Sequence, residues 1–355
     1  MIAADIAIRR IAVVLILIGL PAISGAAVGS ASQSSVPVTI QSESVVSEFP
    51  SGLRFVVSAS LSESVDRADV RFTVGANPTF YESTVRFEPT VDPVLELPIS
   101  FQILGIPPGV EIAYQWRFHT PAGETFASMT FTTEWVDNRF DWAVFEAEDL
   151  LVFAYGTDDD LYRYTAQIAQ ETVERFQAML DAPERPEPIR IWLYDTQDDL
   201  HGSLSPNSRE WIGGVSYADF SLIAGVVPAG GDGTMLRVIP HEIVHQILDD
   251  ATANPFNYPA AWFDEGIAGF GQPVGTESFQ EIVEIAIQEN RLPSVQSMIA
   301  EWGSEPVLAR TSYAASYSVV SYIVDSMGEE ALKRLSDAYS EGLSHDEAVI
   351  AALGV

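Results

Sequence analysis

Hydrophobic and polar positions follow one period in the first third of the chain and another in the rest. Leu53, Phe55 and Val57 alternate with Arg54, Val56 and Ser58, and Val70, Phe72 and Val74 alternate with Arg71 and Thr73. Ile112, Tyr114, Trp116 and Phe118 likewise alternate with Ala113, Gln115, Arg117 and His119. A turn at Pro121-Ala122-Gly123 leads to a further strand through Met129 and Phe131, and Val36–Ile40 opens the region as an edge strand, where Pro37 is tolerated. Period-two patterns between turn residues predict a small all-β sandwich over residues 33–136, immunoglobulin-like, with one face of each sheet buried. His119 falls on the polar side of its strand and is expected at the surface. The region carries no chemistry, and its role is read as spacing or binding.

Near Asp137-Asn138-Arg139 the period changes. Thr157-Asp158-Asp159-Asp160 supplies helix-start chemistry ahead of a core stripe at Leu161, Tyr164, Ile168, Val173, Phe176 and Leu180. Pro188–Tyr194 and Phe220–Val227 read as strands, and Ile282–Ile287, Val319–Val324 and Ala331–Leu335 as helices that close the domain. Residues 137–355 are therefore expected to form an α+β, mostly helical domain. Ahead of both regions, Arg9 and Arg10 precede the apolar run Ile11–Leu20, and Pro21 and small residues follow. Residues 1–32 read as an export signal, cleaved after Ala27 or Ala31, or retained as a single N-terminal membrane anchor. Either way the protein is expected outside the cell, secreted or tethered to the outer face of the membrane.

The chain of 355 residues is 47% hydrophobic, enough for two domains with their own cores. It has no cysteine, which leaves histidine and carboxylate as metal ligands and removes thiol nucleophiles. Fifty acidic against 18 basic residues give a formal charge of −32, with Lys333 the only lysine. Such a surface repels phosphates, so nucleic acid and anionic lipid headgroups are not expected as partners. No motif specifies an oligomeric state.

Candidate chemistry centres on Pro240–Gln246. His241 and His245 are four residues apart, so a helix presents both imidazoles on one face to one metal ion, for which zinc is suited. Glu242 lies beside them, placed to act as a proton acceptor without ligating. Pro240 disfavours helical geometry at Ile239, so the helix is expected to start at about Pro240. A third ligand is available in Glu265 of Trp262–Ala268, carried on a second helix beyond the turn-rich loop Asn254–Pro259.

These two linked motifs resemble those of the gluzincin metallopeptidases, in which HExxH is followed by a glutamate ligand. WFDEGIA is similar to the WLNEGFA-type segment of the aminopeptidase N family, and the resemblance is closest to peptidase MA-like domain proteins, over about residues 140–355. It implies a zincin-like fold, Zn2+ held by His241, His245 and Glu265, Glu242 as general base, and a peptide or protein substrate. A sheet edge beside the active helix would hold that substrate, and Leu222–Val227 is expected to be the edge. The spacing from His245 to Glu265 is one residue longer than in aminopeptidase N and equal to that of thermolysin-like gluzincins. No GxMEN-type motif is present, which argues against strict aminopeptidase specificity.

Tyr313, in Thr311–Ser316, matches the oxyanion-stabilising tyrosine of the family's YxKG-type segment, although Ala315 and Ser316 replace its Lys and Gly. Tyr313 also fits a helix core stripe with Tyr317, Val320 and Val324. Asp264 could orient His241 or His245, whereas thermolysin-like gluzincins use the position that Gly269 occupies here. His201 reads as a surface residue of a polar loop, and His345 as part of a capping-box helix start at Ser344. The competing readings are an exported zinc peptidase, a non-catalytic binding or scaffold protein that keeps the fold, and a zinc hydrolase of a non-peptide amide or epoxide.

Overall fold

The computed structural model describes residues 7–10, 38–206, 213–228, 230–231, 233–300, 302 and 305–354. Apart from Ala7–Arg10, the export segment lies outside the described residues. No helix among the described residues is long and apolar enough to cross a membrane. The chain divides into two units. One comprises Ile11–Asp141 with Gly202–Asn207, and the other Trp142–His201 and Ser208–Val355 together with the strand Ala7–Arg10.

The first unit holds two antiparallel sheets. Thr39–Glu48, Gly52–Ser60 and Val94–Ile99 form one, with Gly52–Ser60 in the centre. Val65–Val74 and Val110–His119 form the middle of the other, flanked by Phe80–Thr90 on one side and by Thr125–Ala127 and Phe131–Trp135 on the other. The alternation works as expected, since Phe55, Val57, Phe72, Val74, Tyr114 and Trp116 are all buried. The Phe55 ring meets Phe72 and Tyr114 of the opposite sheet, so the alternating faces share one core. His119 departs from its expected surface position. It is 6% exposed, bonded to Asp69 on the neighbouring strand and 2.9 Å from Thr125 Oγ1. Side-chain partners on two adjacent strands satisfy the imidazole, which removes the cost that would keep a lone histidine in water.

The second unit is built on a six-stranded sheet in the order Ala7–Arg10, Ala143–Glu146, Leu150–Ala154, Ile189–Tyr194, Leu222–Val226, Gly214–Tyr217. Its three central strands are parallel, and Ile189–Tyr194 is an almost continuous buried run, as a strand covered on both faces requires. Leu222–Val226 is not the edge. Gly214–Tyr217 pairs antiparallel outside it, through a tight turn in which Ser221 takes a left-handed φ of 49°. A four-residue strand that opens on Gly214, directly after Gly213, gives too little apolar alternation to stand out in the sequence.

Helix Asp159–Leu180 is capped by Asp158, whose Oδ1 accepts from the Leu161 backbone N–H. Its core face includes Tyr162, while Tyr164, expected in the stripe, is exposed. The helix carrying HExxH, here the motif helix, runs over Thr234–Thr252, six residues earlier than the Pro240 start predicted. Gly233, at φ 84°, turns the chain into it. The proline deprives only the Leu236 carbonyl of a donor, and burial of Val238, Ile239 and Ile243 holds the first turns in place. Among the described residues five α-helices follow: Ala261–Gly271, Phe279–Gln288, Pro306–Met327, Glu330–Ser340 and His345–Leu353. The last begins with the expected capping box of Ser344 and Glu347.

Candidate active site

Two helices set the site. The motif helix carries His241, Glu242 and His245, and Ala261–Gly271 carries Asp264 and Glu265. Gly266 fixes how deeply the second helix can sit. A Cβ at that position would lie 2.6 Å from the Ser316 carbonyl oxygen and 2.6 Å from Val320 Cγ2, so only glycine lets this helix press against Pro306–Met327. The close approach places Glu265 beside the two histidines and Tyr313 above them.

His241 Nε2 and His245 Nε2 are 3.2 Å apart, and Glu265 Oε2 lies 3.2 Å from the first and 3.6 Å from the second. Tetrahedral bonds of about 2.0–2.1 Å space ligand atoms by about 3.3–3.4 Å, so the three atoms stand where one zinc-sized ion would need them. Glu265 Oε2 is buried with no hydrogen-bond partner, an orphan that a cation would satisfy. Among the described residues these three form the one group of histidine, aspartate and glutamate side chains able to hold a metal.

The outward nitrogens agree with that use. His245 Nδ1 is 2.7 Å from Asp264 Oδ1, so the ring donates Nδ1–H to the carboxylate and leaves the Nε2 lone pair facing inward. His241 Nδ1 is 2.8 Å from the Gln272 amide, whose Oε1 is buried without a partner. With that amide turned over, Oε1 accepts Nδ1–H of His241 and the orphan disappears. Two imidazole lone pairs and a carboxylate then converge on one point, an arrangement that calls for positive charge. The titration behaviour points the same way. Burial would lower the pKa of His245, but the carboxylates of Asp264 and Glu265 outweigh it and raise it well above the ordinary value. Burial would raise that of Glu265, and the two imidazoles outweigh it to hold the carboxyl well below the carboxylate range.

Glu242 is 8% exposed and stands apart from the three. Burial pushes its pKa up, the neighbouring imidazoles opposing, which suits a group that must accept and release a proton. Its carboxylate rests on the edge strand, since a Cβ at Gly214 would lie 2.9 Å from Glu242 Oε1. Gly214 of the edge strand, Glu242 and His241 open into one cleft of about 860 Å³, lined also by Gln272, Phe279, Arg237, Arg310 and Tyr313. The Tyr313 ring lies 6.4 Å from that of His241 and 5.3 Å from that of Trp302. It belongs to the cleft wall, while Val320 of the same stripe is core.

Of the weaker candidates, Asp264 joins the site, and Gly269 packs on Tyr317 instead. His201 ends a short helix, Gln197–His201, bonded to Gln197 rather than sitting in a loop, and His345 contacts Tyr339. Two glutamines were not singled out by sequence. Gln272 bonds His241, a tertiary contact with no local signal. Gln246 is fully buried, donating to Ser216 Oγ and the Leu222 carbonyl, and so ties the motif helix to the edge hairpin. Its place on a buried helical face beside Ile243 and Ile247 was the available clue.

A family model described as Peptidase MA superfamily matches residues 168–355. No curated protein matches the chain. Among solved structures, wild-type OgpA from Akkermansia muciniphila is similar at 12% identity and a TM-score of 0.24, over 29% of this chain and 30% of that one. Legionella pneumophila aminopeptidase A in complex with aspartic acid is similar at 9% identity and a TM-score of 0.42, over 90% of this chain and 47% of that one. The chain thus spans less than half the length of either. With the family match extending over more than half of its residues, both motifs included, the chain belongs to the Peptidase MA superfamily.

Proposed function

We propose that the protein is an exported zinc-dependent peptidase that hydrolyses peptide bonds in the cleft above His241, His245 and Glu265. The observation that carries this reading is the convergence of Nε2, Nε2 and Oε2 at 3.2–3.6 Å, with a separate buried carboxylate alongside. A zinc ion, when bound, supplies Lewis acidity that polarises a carbonyl and acidifies water. His241, His245 and Glu265 hold it, and Asp264 and Gln272 fix the ring orientations. An extended peptide pairs along Gly214–Tyr217, whose outer side carries no strand among the described residues. Glu242, lying against Gly214, takes the proton from the attacking water and delivers it to the leaving amine. Tyr313, on the cleft wall, donates its hydroxyl hydrogen bond to the oxyanion. Residues 1–32 direct export, as cleaved signal or retained anchor.

The test is zinc content and cleavage of a peptide library by wild type, Glu265→Ala and Glu242→Ala. One zinc per chain that survives Glu242→Ala and is lost or much weakened in Glu265→Ala, with chelator-sensitive cleavage in wild type alone, supports the assignment. Zinc binding without cleavage of any peptide moves the reading to a scaffold, and a wild type that takes up no zinc ends it.

A further inference from the structure

Arg237 and Arg310 line the cleft, and neither has an ion pair or hydrogen bond among the described residues. Arg71, Arg86 and Arg163 share this lack, but none of them lines the cleft, and acidic residues outnumber basic ones 50 to 18. Arg54, Arg117, Arg139, Arg185, Arg291 and Lys333 each hold a carboxylate. Placement sets Arg237 and Arg310 apart. Arg237 is four residues before His241 on the motif helix, hence one turn along the same face. Arg310 is three residues before Tyr313 on Pro306–Met327, again on the same face. The stem of Arg237 lies over Gly275, where a Cβ would come within 2.8 Å of Cδ, so the glycine seats the side chain at the cleft wall. Among the described residues the cleft's carboxylates do not pair with either arginine: Asp195 accepts from the Tyr162 hydroxyl at 2.7 Å, and Glu242 is buried.

We propose that Arg237 and Arg310 bind a carboxylate of the substrate, so that the enzyme selects peptides with an acidic side chain or a free carboxy terminus near the scissile bond. The proposal rests on the peptidase reading above. A guanidinium fork matches a carboxylate in a way that no other unpaired group of the cleft does. The charge of −32 repels anionic peptides from the protein at large, and two cations at the cleft offset that repulsion where the scissile bond would lie.

The test uses the full chain and quenched fluorescent peptides that differ only by Asp against Asn at each position flanking the scissile bond, each made with a free and an amidated carboxy terminus. In wild type, kcat/KM is expected to favour Asp over Asn, or free acid over amide, by about tenfold, the low end for a charge-assisted hydrogen bond because both arginines are exposed. Whichever comparison shows the preference identifies the source of the carboxylate. The ratio should fall towards unity in Arg237→Gln and Arg310→Gln and be kept in part by the lysine variants. Ratios near unity in wild type, or a preference that persists in the double glutamine variant, overturn the proposal. If wild type cleaves no peptide, the peptidase reading fails separately. Anisotropy binding of the same peptides to Glu242→Gln protein then decides, with arginine-dependent preference for the carboxylate supporting the proposal and equal or absent binding overturning it.

Discussion

Replacing Asp264 tests whether the site is a tuned metal centre or a chance meeting of side chains. Its Oδ1 accepts from His245 Nδ1 at 2.7 Å, while its side chain is 41% exposed, so water competes for the same donor. Losing a carboxylate that orients a metal-binding histidine costs roughly 10–100-fold in metal affinity, and the exposure argues for the lower end. Asp264→Ala is therefore expected to weaken zinc binding about tenfold, or ~1.4 kcal/mol. Asp264→Asn keeps an acceptor oxygen and should lose less. Competition against a chromophoric zinc chelator measures both, with far-UV circular dichroism to establish that the variants are folded. An Asp264→Ala affinity within twofold of wild type would refute the orienting role. So would a loss as large as that of Glu265→Ala, because deleting a ligand must cost more than releasing a ring.

Three further outcomes follow from the geometry. Gly266→Ala puts a methyl group 2.6 Å from the Ser316 carbonyl oxygen, and the two helices must part. The expected loss is about 1–3 kcal/mol, read as a lower Tm, and an unchanged melt would contradict the packing. Asp249 has its carboxyl pKa raised, by burial first and then by Asp250, Asp219 and Asp264, with Arg185 opposing. The folded state keeps this proton longer than the unfolded chain, so stability is lost as pH rises from the ordinary carboxylate value through the folded one. Asp249→Asn should raise Tm at neutral pH and make no difference at about pH 3, below the unfolded carboxylate range, while a Tm at or below wild type at neutral pH would be the wrong sign. Tyr313→Phe removes only a hydroxyl and should lower kcat about a hundredfold with little change in KM, whereas an unaltered kcat would leave Tyr313 as cleft wall alone.

What could be read from the sequence was what depends on local geometry. Four-residue spacing puts His241 and His245 on one face whatever the rest of the fold does, and alternation fixes which side of Gly52–Ser60, Val65–Val74 and Val110–His119 is buried, though Met129, read as part of a strand, lies outside one and is exposed. Where a feature depends on what another element brings, the sequence misled or was silent. Pro240 looked like a helix start because its local preference is strong, yet burial of Val238 and Ile239 overrides it. His119 looked solvent-facing until Asp69 and Thr125 enclosed it. Leu222–Val226 looked like the edge because its apolar run is the louder pattern, and that run is itself the reason it lies inside, covered by Gly214–Tyr217.

The glycine in the second motif shows how the two kinds of information meet. From sequence, Glu265-Gly266 is a spacing match, and nothing in it says why a glycine should follow the glutamate. In the structure, Gly266 lets Ala261–Gly271 approach the backbone of Pro306–Met327, and that contact fixes the depth of Glu265 opposite both histidines. The same contact sets where Tyr313 and Arg310 stand over the cleft, because both lie within two turns of Ser316 on the facing helix. A single small residue therefore couples the candidate metal group to the candidate substrate contacts. A shift between these helices should disturb metal affinity and peptide selectivity together, whereas a change at Asp264 or at Arg237 should disturb only one of them.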